Sequence, residues 1–555
     1  MKLNGSEILT EVLIEQGVDT LFGYPGGAVL NIYDALYKYS DRIHHVMTAH
    51  EQGACHAADG YARVTGRTGV VLATSGPGAT HLVTGIATAY MDSVPMVCIT
   101  GNVPQSLIGR DSFQEVFITG ITMPITKHNF VVRNVEELAD IVREAFRIAN
   151  TGRKGPVLID IPKDVTAAVC EFEPGRKITV IHDEFRDDEA IKKAADMINS
   201  AKRPVIMFGG GVVASEACGL LREMVEKTDI PACHTIMATG VLGYGEKQDI
   251  GLVGMHGCIT ANRAVAKCDL LIAVGVRFSD RVALNPGRFA SEAKIIHIDI
   301  DVSEINKNII CDFSMVGDVS SVLRQLVPLL RRNDAIDDWL AKIADWKDTD
   351  YKPIDDDSIL KPHQIVREIC DAAGENAVIV TDVGQHQMWA AQYCRRIKPQ
   401  SFLTSGGLGT MGYGYGAAIG AKTAVGDSRP VIHITGDGSF HMNLNECCTA
   451  VSYKLPIITV IMNNTVLGMV RQWQHSFYGD RYSSTSPERK TDFALLAKGF
   501  GAEGYSCENL AQFKEIFEKA LNSEGPVWID CRIDKDEKVL PMIPGGATVD
   551  QTISC

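Results

Sequence analysis

The residue types best placed for chemistry lie in the last third of the chain. Gly436-Asp437-Gly438-Ser439-Phe440 directly follows an apolar stretch, and Asn464, in the pair Asn463-Asn464, comes 27 residues after Asp437 behind another. A carboxylate and an amide oxygen so placed suit Mg²⁺, a hard cation that takes few protein oxygens and completes its octahedron with phosphate and water. Glycines beside Asp437 admit phosphate groups close to the backbone, so the pair reads as a diphosphate site; either half alone reads equally well as a strand-ending turn. A second group lies near the N-terminus. Glu51, in Ala49-His50-Glu51-Gln52-Gly53-Ala54, opens a run of small residues, where a carboxylate serves as a helix-dipole partner or as a proton carrier in catalysis. Two glycine-rich turns accompany it, Gly23-Tyr24-Pro25-Gly26-Gly27 and Thr74-Ser75-Gly76-Pro77-Gly78-Ala79-Thr80. Both permit close backbone approach, and both also read as plain tight turns. Arg281, in Arg277-Phe278-Ser279-Asp280-Arg281, offers a planar partner for a substrate carboxylate or a surface ion pair with Asp280.

Elements that hold such residues must end where the residues begin. Short Val- and Ile-rich runs alternate with longer amphipathic segments, the pattern of parallel strands joined by helices, and it recurs in three blocks. Expected strands are 70–74, 96–100 and 157–161 in the first block, 205–208, 270–274 and 295–298 in the second, and 378–380, 431–434, 457–461 and 527–529 in the third. The polar stretch Glu171–Asp188 reads as a linker, and the charged stretch Arg331–Asp357 as a second boundary. The expected fold is α/β, with three doubly wound parallel-sheet domains over residues 1–170, 188–335 and 358–540 and a C-terminal tail over 541–555. Open sheets of this kind bind ligands beyond the C-terminal ends of their strands, which is where Asp437, Asn464 and the turn after Thr74 fall.

A chain of 555 residues is too long for one core. Its formal charge of −14 disfavours nucleic acid and anionic membranes, which are bound through Lys and Arg. The 15 cysteines are odd in number, include no Cys-x-x-Cys pair and sit in apolar runs such as Val97-Cys98-Ile99, the distribution of reduced core residues. No stretch approaches transmembrane length, and the first residues run straight into an amphipathic helical pattern. A cytoplasmic enzyme is the expectation.

Gly-Asp-Gly followed by Asn-Asn at this separation resembles the thiamine-diphosphate enzyme family. Nearly the whole chain, from the Gly23–Gly27 loop through Gly254-Met255-His256-Gly257 to Gly468-Met469-Val470-Arg471-Gln472-Trp473-Gln474, is similar to the catalytic subunits of acetohydroxyacid (acetolactate) synthases. The resemblance implies a pyrimidine-binding first domain, a central FAD-type domain and a diphosphate-binding third domain, with thiamine diphosphate, Mg²⁺ and FAD as cofactors. It implies that Asp437, Asn464 and the carbonyl of Val466 hold the metal. Gly436, Gly438, Ser439, Val383, Gly384, Gln385, His386, Gly468 and Met469 would line the diphosphate side. Pro25, Gly26, Gly76, Gly409 and Met411 would shape the thiamine pocket, with Met411 keeping the cofactor bent and Glu51 activating its aminopyrimidine.

For the substrates, the resemblance implies that Gly27 offers a backbone N–H to the reacting oxygen, that Gln114, Lys163 and Arg281 line the pocket, and that Trp473 narrows it in favour of 2-ketobutyrate. FAD would meet Gly209, Gly210, Gly211, Met255, His256, Arg277, Asp299 and Asp301. The implied activity is decarboxylation of pyruvate and transfer of the hydroxyethyl group to a second 2-ketoacid, pyruvate or 2-ketobutyrate, in branched-chain amino-acid biosynthesis. The implied assembly is a homodimer or tetramer with active sites between subunits, and a small regulatory subunit is a further partner. Tyr415-Gly416, Ala283, His441, Ser112 and Arg110 depart from the usual residues at their positions. Alternatives within the same cofactor chemistry are a catabolic acetolactate synthase and a sulfoacetaldehyde acetyltransferase-like lyase; an alternative of another class is a cofactor-binding protein without turnover.

Overall fold

Helices cover both faces of every main sheet, which is why the strands read as continuous apolar runs with no polar side to alternate. The computed structural model describes residues 1–180, 184–243, 245–356, 358–395 and 397–554, so residues 181–183 of the expected linker and Asp357 lie outside the described residues. Strand β1 (Lys2–Asn4) stands apart from the first sheet. That sheet is built from β2 (Thr20–Gly23), β3 (His44–Met47), β4 (Gly69–Ala73), β5 (Met96–Asn102), β6 (His128–Val131) and β7 (Pro156–Pro162), in the order β3-β2-β4-β5-β7-β6. Strand β8 (Val169–Glu171) pairs antiparallel with β1.

The middle sheet takes β9 (Pro204–Phe208), β10 (Ala232–His234), β11 (Asp249–Leu252), β12 (Leu270–Val274), β13 (Lys294–Asp299) and β14 (Phe313–Val316), in the order β11-β10-β9-β12-β13-β14. The third takes β15 (Val378–Thr381), β16 (Phe402–Leu403), β17 (Val431–Gly436), β18 (Ile457–Asn463), β19 (Glu503–Cys507) and β20 (Val527–Arg532), in the order β16-β15-β17-β18-β20-β19. All three sheets are parallel throughout. The expected α/β class with three parallel-sheet domains is therefore what the chain adopts. The first and third sheets share one strand order, and the middle sheet has the outward-winding order of dinucleotide-binding folds.

In each sheet the winding reverses between two neighbours: β2 and β4, β9 and β12, β15 and β17. A crevice opens at such a reversal because the two connecting helices leave on opposite faces. The loops that enter the three crevices are the glycine-rich ones: Pro25–Gly27 and Thr74–Gly78, Gly209–Gly211 and Gly275–Arg277, and Val383–His386 and Gly436–Ser439.

First and third domains are joined by two small-residue helices, Glu51–Thr65 and Tyr413–Val425. They pack so closely that a methyl group on Gly60 would overlap the Ala417 carbonyl and one on Gly420 the Ala57 carbonyl. One apolar cluster consequently runs without a break from Phe22 and Ala57 to Tyr413 and Trp528. Tyr415-Gly416 belongs to this seam. Gly416 lies where a Cβ would come 2.8 Å from the Gly53 carbonyl, and Tyr415 stacks on His433 while its hydroxyl accepts from Trp528 Nε1 at 3.1 Å. The charged stretch after Arg331 is more than a boundary: it holds the helix Asp337–Asp348, whose Trp339 is buried and donates to the Pro204 carbonyl. The tail folds back on the middle domain, with Ile543 N–H donating to the Met255 carbonyl and Gly546 N–H to the Leu284 carbonyl.

Candidate active site

Strand β17 delivers Asp437 to the first turn of a short helix, Asp437–Phe440, and β18 delivers Asn464. Both side chains are buried. Burial pushes the Asp437 carboxyl up to about 6, against the lowering effect of backbone N–H groups and Arg489. Asn464 Oδ1 accepts from Val466 N–H at 3.3 Å, and its Nδ2 donates to Gln385 Oε1 at 3.1 Å. Gln385 Nε2 donates in turn to Gln472 Oε1 at 3.0 Å and to the Glu537 carbonyl at 2.8 Å. Gln385 thus orients Asn464 from behind. The oxygens of Asp437, Asn464 and Val466 form the hard donor set that Mg²⁺ takes, so these residues fit a metal.

The loop after β15 supplies the complementary features. His386 is buried, and burial holds its imidazole down to about 4 and therefore neutral. Its Nε2 has no partner among the described residues. A Cβ on Gly436 would come 2.8 Å from His386 Nδ1, and one on Gly438 2.7 Å from Leu467 Cδ2, so neither position admits a side chain. An orphaned ring nitrogen in the first turn of a helix, Gln385–Tyr393, beside such a glycine cradle fits a diphosphate oxygen. Gly468 is close-packed against Gln385 and Asn464. Ser439 is engaged elsewhere, its Oγ accepting from Gly412 N–H at 3.1 Å. That bond steadies the loop of Gly409 and the half-buried Met411, in which Gly409 and Gly412 take φ of +72° and +86°.

The N-terminal group gathers at the reversal between β2 and β4. Glu51 starts its helix with His50 as the cap, and its Oε2 lies 2.9 Å from His81 Nδ1. Gly26 packs on the Thr74 side chain, and Gly78 lies so that a Cβ would be 3.2 Å from Glu51 Oε1. Gly76, at φ +59°, abuts Gln114, which is itself at φ +59°. Gly27 is exposed with open space around it, Pro25 is half-buried, and half-buried Lys163 begins the short helix after β7.

A cavity of about 900 Å³ lies where the three domains meet. Gly210, Gly211, Met255, His256, Arg277 and Asp299 line it from the middle domain, with Arg281, and Val383, Gly384, Gly409, Met469 and Trp473 from the third. Glu51, Gly27, Gln114 and Lys163 are not on its wall. His256 Nδ1 is buried without a partner among the described residues, and burial raises the Asp299 carboxyl to about 6. These are the features of a site for a large ligand with both donors and acceptors, and the residues fit a dinucleotide. Two of the expected contact residues also have partners of their own. Gly209 packs against the Gly275 carbonyl, and Asp301 caps a short 3₁₀ turn and pairs with Arg153 at 3.3 Å. Arg281 is largely exposed and paired with Asp280 at 3.1 Å.

Three residues carry weight that the sequence did not disclose. Glu446, fully buried, accepts from the N–H groups of Ala49 and His50, each at 3.0 Å, and from Thr449 Oγ1 at 2.7 Å. A carboxylate of the third domain therefore fixes the backbone that carries Glu51. His81 holds Glu51 directly. Glu304 lines the large cavity with Oε1 paired to Arg153 and Oε2 buried and without a partner among the described residues. No spacing in the sequence marks any of the three, because each contact joins separate elements. His441, a departure from the usual residue, contacts the Asp437 carbonyl through Nδ1 at 2.5 Å and Thr491 through Nε2 at 2.8 Å.

Comparison with known proteins follows this division. Residues 3–121 match the N-terminal TPP-binding domain of thiamine pyrophosphate enzymes, residues 191–326 their central domain and residues 382–531 their C-terminal TPP-binding domain. The chain is 45% identical to a probable acetolactate synthase large subunit of Methanocaldococcus jannaschii, covering 99% of this chain and 95% of that one. It is 45% identical to an acetolactate synthase of Mycobacterium bovis, over 99% and 91%. With the large subunit of acetolactate synthase isozyme 2 of Escherichia coli it shares 43% identity over 98% of each chain.

Proposed function

The chain belongs to the thiamine pyrophosphate enzyme family and is an acetolactate synthase of the large-subunit type, and we propose that it joins two 2-ketoacids at a site built from the residues described above. Pyruvate is the donor, pyruvate or 2-ketobutyrate the acceptor, and acetolactate or its homologue the product of branched-chain amino-acid biosynthesis. Thiamine diphosphate, when bound, supplies the nucleophilic carbon and the electron sink for decarboxylation. Mg²⁺ and FAD complete the cofactor set, as is typical of the family.

Asp437, Asn464 and the Val466 carbonyl hold the metal, and His386 with the glycines around it receives the diphosphate. Glu51 carries the proton that sets the tautomer of the aminopyrimidine, a role suited to a carboxyl group largely shielded from water. Gly27 presents its exposed N–H to the substrate oxygen, Gln114 and Lys163 flank it, and Arg281 pairs with the acceptor carboxylate once that carboxylate displaces Asp280. Trp473, in the wall of the large cavity, sets acceptor size. FAD occupies the middle-domain part of that cavity, against Gly210, Gly211, Arg277 and Asp299. The observation that carries this reading is the convergence of the glycine-rich loops and the two polar groups on strand-order reversals of the first and third sheets.

A homodimer or tetramer is supported by the exposed apolar loop beside Gln114, where Phe113, Phe117 and Met123 are 87%, 74% and 66% exposed. Sites shared between subunits would explain why Glu51 lies off the cavity that Gly384 and Trp473 line. Relatives are called large subunits, which supports a small regulatory partner. The cysteines of the described residues are all free, which supports a reducing, cytoplasmic location; among the described residues no helix is long and apolar enough to cross a membrane. The test is acetolactate formation from pyruvate by the purified protein with each cofactor omitted in turn. Activity requiring thiamine diphosphate and Mg²⁺ is expected, with loss of activity on FAD removal; product formed without thiamine diphosphate would refute the reading.

A further inference from the structure

We infer that His50, Glu51 and His81 form a binding site for a divalent transition cation of the Zn²⁺ kind, and that a cation held there withdraws the Glu51 carboxylate from catalysis. One donor atom from each of the three side chains lies within 4.8 Å of the other two. His81 Nδ1 is already 2.9 Å from Glu51 Oε2, and the His50 and His81 rings face one another with centroids 4.3 Å apart and planes 30° from parallel. Zn²⁺ bonds of about 2.1 Å at tetrahedral angles set neighbouring donors about 3.4 Å apart, so side-chain shifts of about an ångström close the site.

The donor set decides which ion it takes. Two imidazole nitrogens and one carboxylate oxygen suit Zn²⁺, Co²⁺ or Ni²⁺, whereas Mg²⁺ prefers oxygen alone and goes to the Asp437 group. His50 is a ready ligand: burial and the neighbouring His81 hold its imidazole below its ordinary range, hence neutral. Its Nδ1 accepts the capping bond from Gln52 N–H at 3.1 Å, so a cation bound through Nε2 leaves the helix start intact. The His81 side chain is 43% exposed, which gives solvent a route in. With three protein ligands the fourth position stays open to water, as in sites where zinc exchanges. The inhibitory consequence rests on the role given to Glu51 above; the binding does not.

The test is titration of the purified full-length protein with Co²⁺, a coloured substitute for Zn²⁺, in excess Mg²⁺. We expect one equivalent bound with visible d–d absorption and no thiolate charge-transfer band. Affinity should fall at least ten-fold in both His81→Asn and His50→Gln, the latter retaining an oxygen to accept from Gln52 N–H. Circular dichroism establishes that each variant is folded. Zn²⁺ should inhibit acetolactate formation by the wild type reversibly on chelation. Unchanged titrations in both folded variants, or absorption of the thiolate type alone, would overturn the site. A site lost in the variants but without effect on turnover would overturn the claim about Glu51, and the cofactor-omission assay would still stand on its own result.

Discussion

Trp473 sits just past the middle of the helix Gly468–Phe477, its ring 5.1 Å from that of Phe477, and both its position and its size make it a wall of the cavity rather than part of the core. Trimming it to Leu should cost the enzyme its preference for the larger acceptor. A methylene-sized discrimination in an apolar pocket is worth about 10-fold to 200-fold, so Trp473→Leu should lower the 2-ketobutyrate-to-pyruvate product ratio by about ten-fold in a competition assay; an unchanged ratio would remove its role. Asp437 and Asn464 were legible from sequence because their separation and their place behind apolar strands are both local properties. Gly209 and Asp301 were read from a local pattern too, which did not disclose that Gly209 packs on Gly275 and that Asp301 pairs with Arg153. Glu446 could not be read at all, since it acts on backbone N–H groups nearly four hundred residues away.

At the scale of elements, the helices Glu51–Thr65 and Tyr413–Val425 fix how the first and third domains of one chain pack on each other. Gly420→Val inserts side-chain atoms where the Ala57 carbonyl stands. Overpacking of this kind costs about 1–3 kcal/mol, and thermal unfolding should record the loss; a variant as stable as the wild type would contradict so close a packing. Glu446→Ala leaves the Ala49 and His50 N–H groups without their acceptor, a cost of about 1–3 kcal/mol. It should also slow turnover by loosening Glu51, and Glu446→Gln should recover only part of both, because its single amide oxygen can accept from one of the two N–H groups while its NH₂ faces the other. The central strands were plain in the sequence because burial on both faces makes them long and apolar. Short strands such as β16, β10 and β1 were not, since two or three residues give no pattern to detect. The helix Asp337–Asp348 hid behind its charged outer face.

The whole molecule carries a pH signature of its folding. Burial holds His45, His56, His256 and His386 near 4, below their ordinary 6.5. The unfolded chain therefore binds more protons than the folded one between about 6.5 and 4, and stability falls as pH drops through that window while these groups leave it unchanged above 6.5. Asp160, Asp299 and Asp437, raised by burial to about 6, take up protons in the folded state over the same window and oppose part of this loss. Thermal midpoints should still decline from pH 7.5 to pH 5, and replacing His45 and His256 by Gln should flatten that decline; a decline unchanged in folded variants would refute these burial states. The three-domain plan was legible because each block repeats the same strand-helix rhythm; the way the first and third blocks lean on one another depended on glycine contacts between distant helices. The most direct test of the account is complementation between Glu51→Gln and Asp437→Asn, assayed for acetolactate alone and co-expressed. Each variant alone should be nearly inactive, and the mixture should recover up to about a quarter of wild-type activity, because half the dimers are mixed and each has one intact site. Near-normal activity of either variant alone, or no recovery from assembled mixed dimers, would contradict it.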